Sequence, residues 1–313
     1  MTDIANTSFA ALAGHSGKAR FSRLKEAVIS PMHMAVENEL WRVEEPGESP
    51  RVLRVLHPDS QAEFSPQGIV EAAKMSGTLG VGPEVLMADA DSGIILMPYL
   101  GDGWRTATMF DLKSASVRRG VIAATQLLHT APALCRTFDP FNRIRDLFNR
   151  AKDVAAPLPS DVDWLIDGAE QVRVAVSAKP VEMRPCRNDG CASNIMLHDD
   201  GRVVLLDYDL AGMNDPAFDL GVLLAEAEVF DDEAMAWICD WHSDPDETML
   251  GRARLYGAVD DLGWAISAAI NAHLSKRISI EFRKYSEWRF MRCRSMIADR
   301  SFEQTVRRVA GGH

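Results

Sequence analysis

Three oxygen-bearing side chains in the second half of the chain have types and spacing suited to phosphate chemistry. Asp189 lies in "RPCRNDGCASNIML" (184–197), Asn194 follows five positions later, and Asp207 comes thirteen residues after that. The run "NIMLHDDGRVVLLDYD" between them reads as two short apolar strands around an Asp-Asp-Gly turn, which folds Asp207 back beside Asn194. Oxygen ligands converging at the end of such a ribbon suit magnesium, which takes one or two carboxylates together with substrate phosphates. A further aspartate beside the metal ligands can orient a hydroxyl and take its proton. Alone, the same pattern also fits a plain turn leading into a strand, with Asn194 as an ordinary turn former.

The elements around this stretch divide the chain. In the first hundred residues, "SGKARFSRLKEA" (16–27) predicts a basic helical turn or two, and "ENELWRVE" (37–44) and "RVLRVLHP" (51–58) predict strands separated by "EPGESP". "SPQGIVEAAKMSGTLGVGP" starts with an N-cap serine, carries Ile69, Val70 and Ala73 at helical spacing, and stops at Gly and Pro. "PEVLMADADSGIILMPYL" supplies two more short strands. The expectation is an antiparallel sheet with one helix over 1–100, a hinge near 97–103, and a larger, mainly helical part over 101–313. In that second part, "SASVRRGVIAATQLLHTA" (114–131) and everything from 217 to about 310 are helical in period, with Trp237, Trp264 and Trp288 in the latter. The fold class is therefore α+β in two lobes.

Bulk composition narrows the function. At 313 residues with 47% hydrophobic and 25% charged residues, the chain is globular. Its net charge of −11 excludes a general nucleic-acid binder, which needs a basic footprint, and suits a small cationic substrate. The five cysteines form no CxxC pair and leave an odd count, as expected of a reduced, cytoplasmic protein without a disulfide framework or zinc site. No segment has the apolar length for a signal peptide or a bilayer span, so no membrane insertion is expected. The oligomeric state is left open. His129 reads as a packed or capping residue, and the acidic runs at 231–233 and 244–247 read as solvated faces.

With these segments in order, the chain resembles the choline/ethanolamine kinase branch of the aminoglycoside-phosphotransferase-like, protein-kinase-like family. The family's catalytic loop, Cys-His-Asn-Asp-x4-Asn-Ile-Leu, is matched by Cys186-Arg187-Asn188-Asp189-x4-Asn194-Ile195-Met196-Leu197. Its metal-binding segment is matched by Leu206-Asp207-Tyr208-Asp209-Leu210, with Asn214 and Phe218-Asp219-Leu220-Gly221 following. "DLGWAISAAINAHLSKRISIEFRKYSEWRF" follows the family's tail pattern, and the likeness runs from about residue 35 to 290. It implies an ATP- and magnesium-dependent transfer of the γ-phosphate to a hydroxyl, with an amino alcohol as acceptor. Asp189 would be the catalytic base, Asn194 and Asp207 would hold Mg2+, and Arg187 and Asp219 would support the catalytic loop.

The resemblance also implies a nucleotide site in the first lobe, made by Asn38, by Arg54 in the place of the phosphate-holding lysine, by Glu71 as its helix partner, and by Met97 at the adenine hinge. On the acceptor side it implies Trp264, Tyr285 and Glu226, aromatic faces and a carboxylate that suit an ammonium group. The chain departs from the family at three places. "SPMHMAVENELWRV" lacks the family's glycine-rich turn, Arg187 stands where the family has histidine, and Ser267 and Leu210 replace two aromatic walls. The first two departures support a competing expectation, a catalytically impaired pseudokinase acting as a nucleotide- or ligand-binding regulatory module, and the third points to an acceptor other than choline or one bound more loosely. Aminoglycoside phosphorylation is a third possibility on the same fold.

Overall fold

A computed structural model describes residues 2–14, 18–29, 33–228, 230–277 and 279–311. In chain order the elements are α1 (Thr2–Ala13), β1 (Arg20–Arg23), β2 (Asn38–Glu44), β3 (Arg51–Leu56), α2 (Pro66–Leu79), β4 (Met87–Asp89), β5 (Ile94–Pro98), β6 (Trp104–Thr106) and α3 (Ala115–His129). They continue with α4 (Pro140–Asp153), α5 (Val162–Ser177), β7 (Arg184–Cys186), β8 (Ile195–His198), β9 (Val203–Leu205), β10 (Gly212–Asn214) and α6 (Pro216–Ala227). The tail is helical: α7 (Asp231–Trp241), α8 (Glu247–Leu274), α9 (Phe282–Ile297) and α10 (Phe302–Val309). The chain forms two compact units, Met1–Thr137 with Arg184–Met213, and Phe138–Met183 with Asn214–His313. No helix among the described residues is long and apolar enough to cross a membrane.

The first unit is built on an antiparallel sheet in the order β1-β2-β3-β5-β4. Its register places Leu40 opposite Arg54 and Arg54 opposite Ile95, while Trp41, Leu53 and Leu96 align on the next row. Because strand side chains alternate faces, these two rows point to opposite sides. Trp41, Val43, Leu53, Ile94 and Leu96 form a buried core with Ala5 and Phe9 of α1. The opposite row, Asn38, Leu40, Val52, Arg54, Ile95 and Met97, is left to line a cavity. One face is thus spent on stability and the other is available for a ligand.

Local signals explain the neighbouring elements. Ser65 accepts a hydrogen bond from the Gly68 amide at the start of α2, Pro66 occupies the first helical position, and Gly80 ends the helix in left-handed geometry at φ 73°. The basic stretch 16–27 is not helical where it is described (residues 16 and 17 lie outside the described residues). It supplies the edge strand β1 instead, because pairing Phe21 with Val43 sets its ring edge-on to Phe9 at 5.6 Å. Tertiary pairing overrides a weak local preference there. A second, three-stranded sheet runs β6-β8-β9, with Ile195 opposite Leu205 and Leu197 opposite Val203. This is the hairpin expected between Asn194 and Asp207.

The second unit is helical, with α8 packed against α4, α6 and α9. Gly221 makes one of these contacts possible. A Cβ at that position would lie 2.3 Å from the Ala253 carbonyl oxygen and 3.0 Å from Tyr256 Cβ. The last residue of the Phe-Asp-Leu-Gly motif therefore serves the α6–α8 crossing. Gly221→Ala is expected to destabilise the fold by about 1–3 kcal/mol, the usual cost of overpacking, read as a lower urea midpoint. Beside this crossing, Asp215 caps α6 by accepting from the Ala217 amide, and its other oxygen takes Arg252 and the Tyr256 hydroxyl. Burial, with the Asp215 charge second, pushes the Tyr256 phenol well up from its ordinary value.

Candidate active site

Arg187 and Asn188 follow β7 directly and turn the chain toward Asp189. Asn188 adopts φ 60°, a left-handed conformation that asparagine takes more readily than most non-glycine residues. Its side-chain amide holds that turn by donating to the carbonyls of Leu210, at 2.9 Å, and Cys186, at 3.4 Å. Asp189 is then fixed from three sides. Its Oδ1 accepts from the Cys191 amide at 2.9 Å, and its Oδ2 accepts from Asn194 Nδ2 at 2.8 Å and Arg187 Nη1 at 3.1 Å. The same Arg187 nitrogen donates to the Leu206 carbonyl at 3.0 Å, one residue before Asp207.

The hairpin closes the constellation. The Leu206 amide donates to the Asn194 carbonyl at 2.7 Å, which sets Asp207 next to Asn194 and within electrostatic reach of Asp189. Asp207 too is left-handed, at φ 62°. Burial pushes the Asp207 carboxyl well above the usual carboxylate range, and the negative charge of Asp209 adds to the effect; Arg54 opposes it.

These residues fit a hard divalent cation. Asn194 has given its amide nitrogen to Asp189, so the atom it offers a ligand is its oxygen. Asp209 is buried and Asp207 half-buried, and the charge of Asp209 acts on the Asp207 carboxyl, a repulsion that a cation would relieve. Asn38 brings a further oxygen to the cavity that Asn194 and Asp207 line, since its Oδ1 is buried and meets no hydrogen-bond donor. An all-oxygen set with one or two carboxylates is the donor chemistry of magnesium.

Asn38, Arg54, Met97, Asn194 and Asp207 all line one cavity of about 430 Å³ within the first unit, a size in the range of small-molecule sites. Its walls are otherwise largely apolar, including Leu40, Val52 and Ile95. Glu71 is placed elsewhere. Its carboxylate accepts from the Cys135 amide at 3.2 Å and from the Cys135 thiol at 2.7 Å, and that bond pushes the thiol up from its ordinary value. Arg54 does not meet Glu71. Its Nη2 pairs with Asp209, and its Nη1 donates to the Gly93 carbonyl at 3.3 Å. The reason is topological: β3 sends Arg54 to the cavity face, where the turn after β9 brings Asp209, and α2 directs Glu71 to the loop after α3.

Residues 28–260 match the phosphotransferase enzyme family, APH. The chain belongs to that family. It is 29% identical to Protein LicA of Haemophilus influenzae over 151 residues, 48% of this chain and 56% of the relative. The chain spans about half the length of the curated relatives it matches. Among solved structures, a choline/ethanolamine kinase family protein from Mesorhizobium loti superposes with a TM-score of 0.80 at 24% identity, covering 99% of both chains. LicA in complex with AMP superposes with a TM-score of 0.77 at 17% identity, covering 96% of this chain and 98% of that one. The α+β class expected from sequence, an antiparallel sheet followed by a mainly helical remainder, is the fold these proteins share.

In this phosphotransferase-family chain, the residues expected on the acceptor side lie in the second unit. Glu226 is half-buried on α6. Trp264, on α8, is also half-buried and carries the Arg143 guanidinium over its ring at 4.7 Å. Tyr285, on α9, is 2% exposed; its hydroxyl accepts from Arg289 Nε at 2.9 Å and its ring lies 5.7 Å from Trp288. Asp219 is buried in the first turn of α6. Leu210 and Ser267, the two replacements of aromatic walls, are both buried.

One residue of the first unit escaped sequence reasoning. Asp209 accepts from Arg54 and from Asn38 Nδ2, the latter at 3.1 Å, and so ties β2 and β3 to the Asp207 segment. Arg54 and Asp209 are 155 positions apart, and nothing short of the folded register links them.

Proposed function

We propose that this protein is an ATP- and Mg2+-dependent kinase that transfers the γ-phosphate to a hydroxyl of a small molecule, with an amino alcohol as the acceptor class. The observation that carries this reading is the convergence of Asp189, Asn194 and Asp207, with the last two on a cavity that also holds Arg54. Phosphoryl transfer asks a protein chiefly for positioning and charge neutralisation. Arg54, held by Asp209 and the Gly93 carbonyl, sets a permanent positive charge in the cavity wall that would offset phosphate charge, and the apolar walls beside it suit a nucleobase. Asp189, held by the Cys191 amide, Asn194 and Arg187, orients the acceptor hydroxyl and takes its proton. Asn194 and Asp207 would hold Mg2+, which would supply positive charge against the phosphates.

The amino-alcohol class rests on the likeness to a choline/ethanolamine kinase family protein and on the net charge of −11, which favours a cationic acceptor. We place the protein in the cytoplasm, where its five free thiols would stay reduced. Mg·ATP at about a hundred times its Kd is expected to stabilise the fold by about 2.7 kcal/mol, read as a rise in melting temperature. A coupled ADP-release screen over amino alcohols, sugars and aminoglycosides then identifies the acceptor. No thermal stabilisation at millimolar Mg·ATP would overturn the reading.

A further inference from the structure

The five residues His33-Met34-Ala35-Val36-Glu37 precede β2, and Met34 and Ala35 line the nucleotide-sized cavity. The segment has no glycine, yet Ala35 takes φ 51°, a left-handed conformation that a methyl group tolerates only under constraint. The constraints are visible. Met34 exchanges both backbone hydrogen bonds with Val28, at 3.0 and 2.7 Å. The Glu37 carbonyl accepts from the His57 amide at 2.8 Å, and the Glu37 carboxylate meets His33 Nε2 at 2.9 and 3.0 Å. These ties close the segment on itself and on the sheet.

One tie comes from elsewhere. Ser193 stands between Asp189 and Asn194 in the catalytic segment, is 6% exposed, and lines the same cavity. Its hydroxyl donates to the His33 carbonyl, 160 positions away. We propose that Ser193 is a positioning residue that latches segment 33–37 to the catalytic segment. The cover of the nucleotide site is thereby set in register with Asp189 and Asn194. A glycine-rich turn can settle onto phosphates after they arrive, because its backbone is free to adapt. A segment without glycine gains most by being placed beforehand, since pre-organisation removes an ordering cost from binding. The inference rests on the assignment of the cavity to a nucleotide.

The test combines nucleotide affinity, kinetics and hydrogen exchange. Ser193→Ala is expected to weaken Mg·ADP binding about three- to tenfold, the effect of one buried hydrogen bond, measured by titration calorimetry. KM for ATP should rise by the same factor, with kcat and the acceptor KM within about twofold of wild type. In the free protein, the amides of 33–37 should exchange faster while the melting temperature stays close to wild type. Ser193→Thr, which keeps the hydroxyl, should restore slow exchange and nucleotide affinity. Unchanged exchange and affinity in Ser193→Ala would overturn the latch, as would equal losses in kcat, both KM values and melting temperature, which signal a general structural role. A wild type that binds no nucleotide overturns the functional reading itself, and is told apart by the wild-type titration alone.

Discussion

Asp189→Asn is expected to lower kcat by about 10²–10⁴-fold, the range a positioned acid–base group contributes, and to leave Mg·ADP affinity near that of the unaltered protein. The amide keeps the shape of the carboxylate but cannot accept the acceptor's proton. Asparagine is the right replacement because of what surrounds the site. Arg187 is 2% exposed and donates to Asp189 Oδ2 at 3.1 Å, and the Cys191 amide donates to Oδ1; asparagine keeps an oxygen acceptor in that place, whereas alanine would remove both acceptors. A dead alanine variant would then confound lost chemistry with a distorted loop. Coupled ADP release gives the rate and titration calorimetry gives the affinity. Turnover within about tenfold of wild type in Asp189→Asn would remove Asp189 from the base role.

The parts of this site that were legible in sequence are those determined by short-range rules. The Asp-Asp-Gly turn between two apolar runs dictates a hairpin, and a hairpin is enough to bring Asp207 back to Asn194. The Ser65–Pro66 start and Gly80 stop of α2 are equally local. What escaped depends on contacts that no window of sequence contains. α1 is rich in Thr, Asn and Ser and keeps its place by burying Ala5 and Phe9 against the sheet. β1 is a strand because β2 offers it a register. Asp139 followed by Pro140 does mark the start of α4, and that cap was there to be read. The Arg54 partner could not be read at all. Choosing between Glu71 and Asp209 requires knowing which strand face Arg54 occupies and where the turn after β9 ends.

Arg187 decides between an active kinase and an impaired one, and Arg187→His is the experiment that separates them. If arginine were a lesion in a loop built for histidine, restoring histidine would raise turnover. The geometry predicts the reverse. One guanidinium nitrogen donates to the Asp189 carboxylate, to the Leu206 carbonyl beside Asp207, and more distantly to the Asn194 carbonyl at 3.4 Å. Arg187 therefore touches Asp189 and the backbone next to both expected metal ligands, from a position shut off from water. An imidazole is too short to span three such acceptors and carries no obligatory charge. Removing one partner of a fully buried, hydrogen-bonded charge pair costs about 3–5 kcal/mol, and less where the partner left behind is half-buried, as Asp189 is. Arg187→His and Arg187→Met are accordingly expected to lower the unfolding free energy from urea denaturation by up to about 3–5 kcal/mol and to cut kcat by at least about tenfold, with Arg187→Lys intermediate. A histidine variant that turns over faster than the native arginine protein would instead mark the arginine as the impairing change. The buried guanidinium, joined to the proposed base and to the backbone beside the proposed metal ligands, is the physical reason to expect a loss.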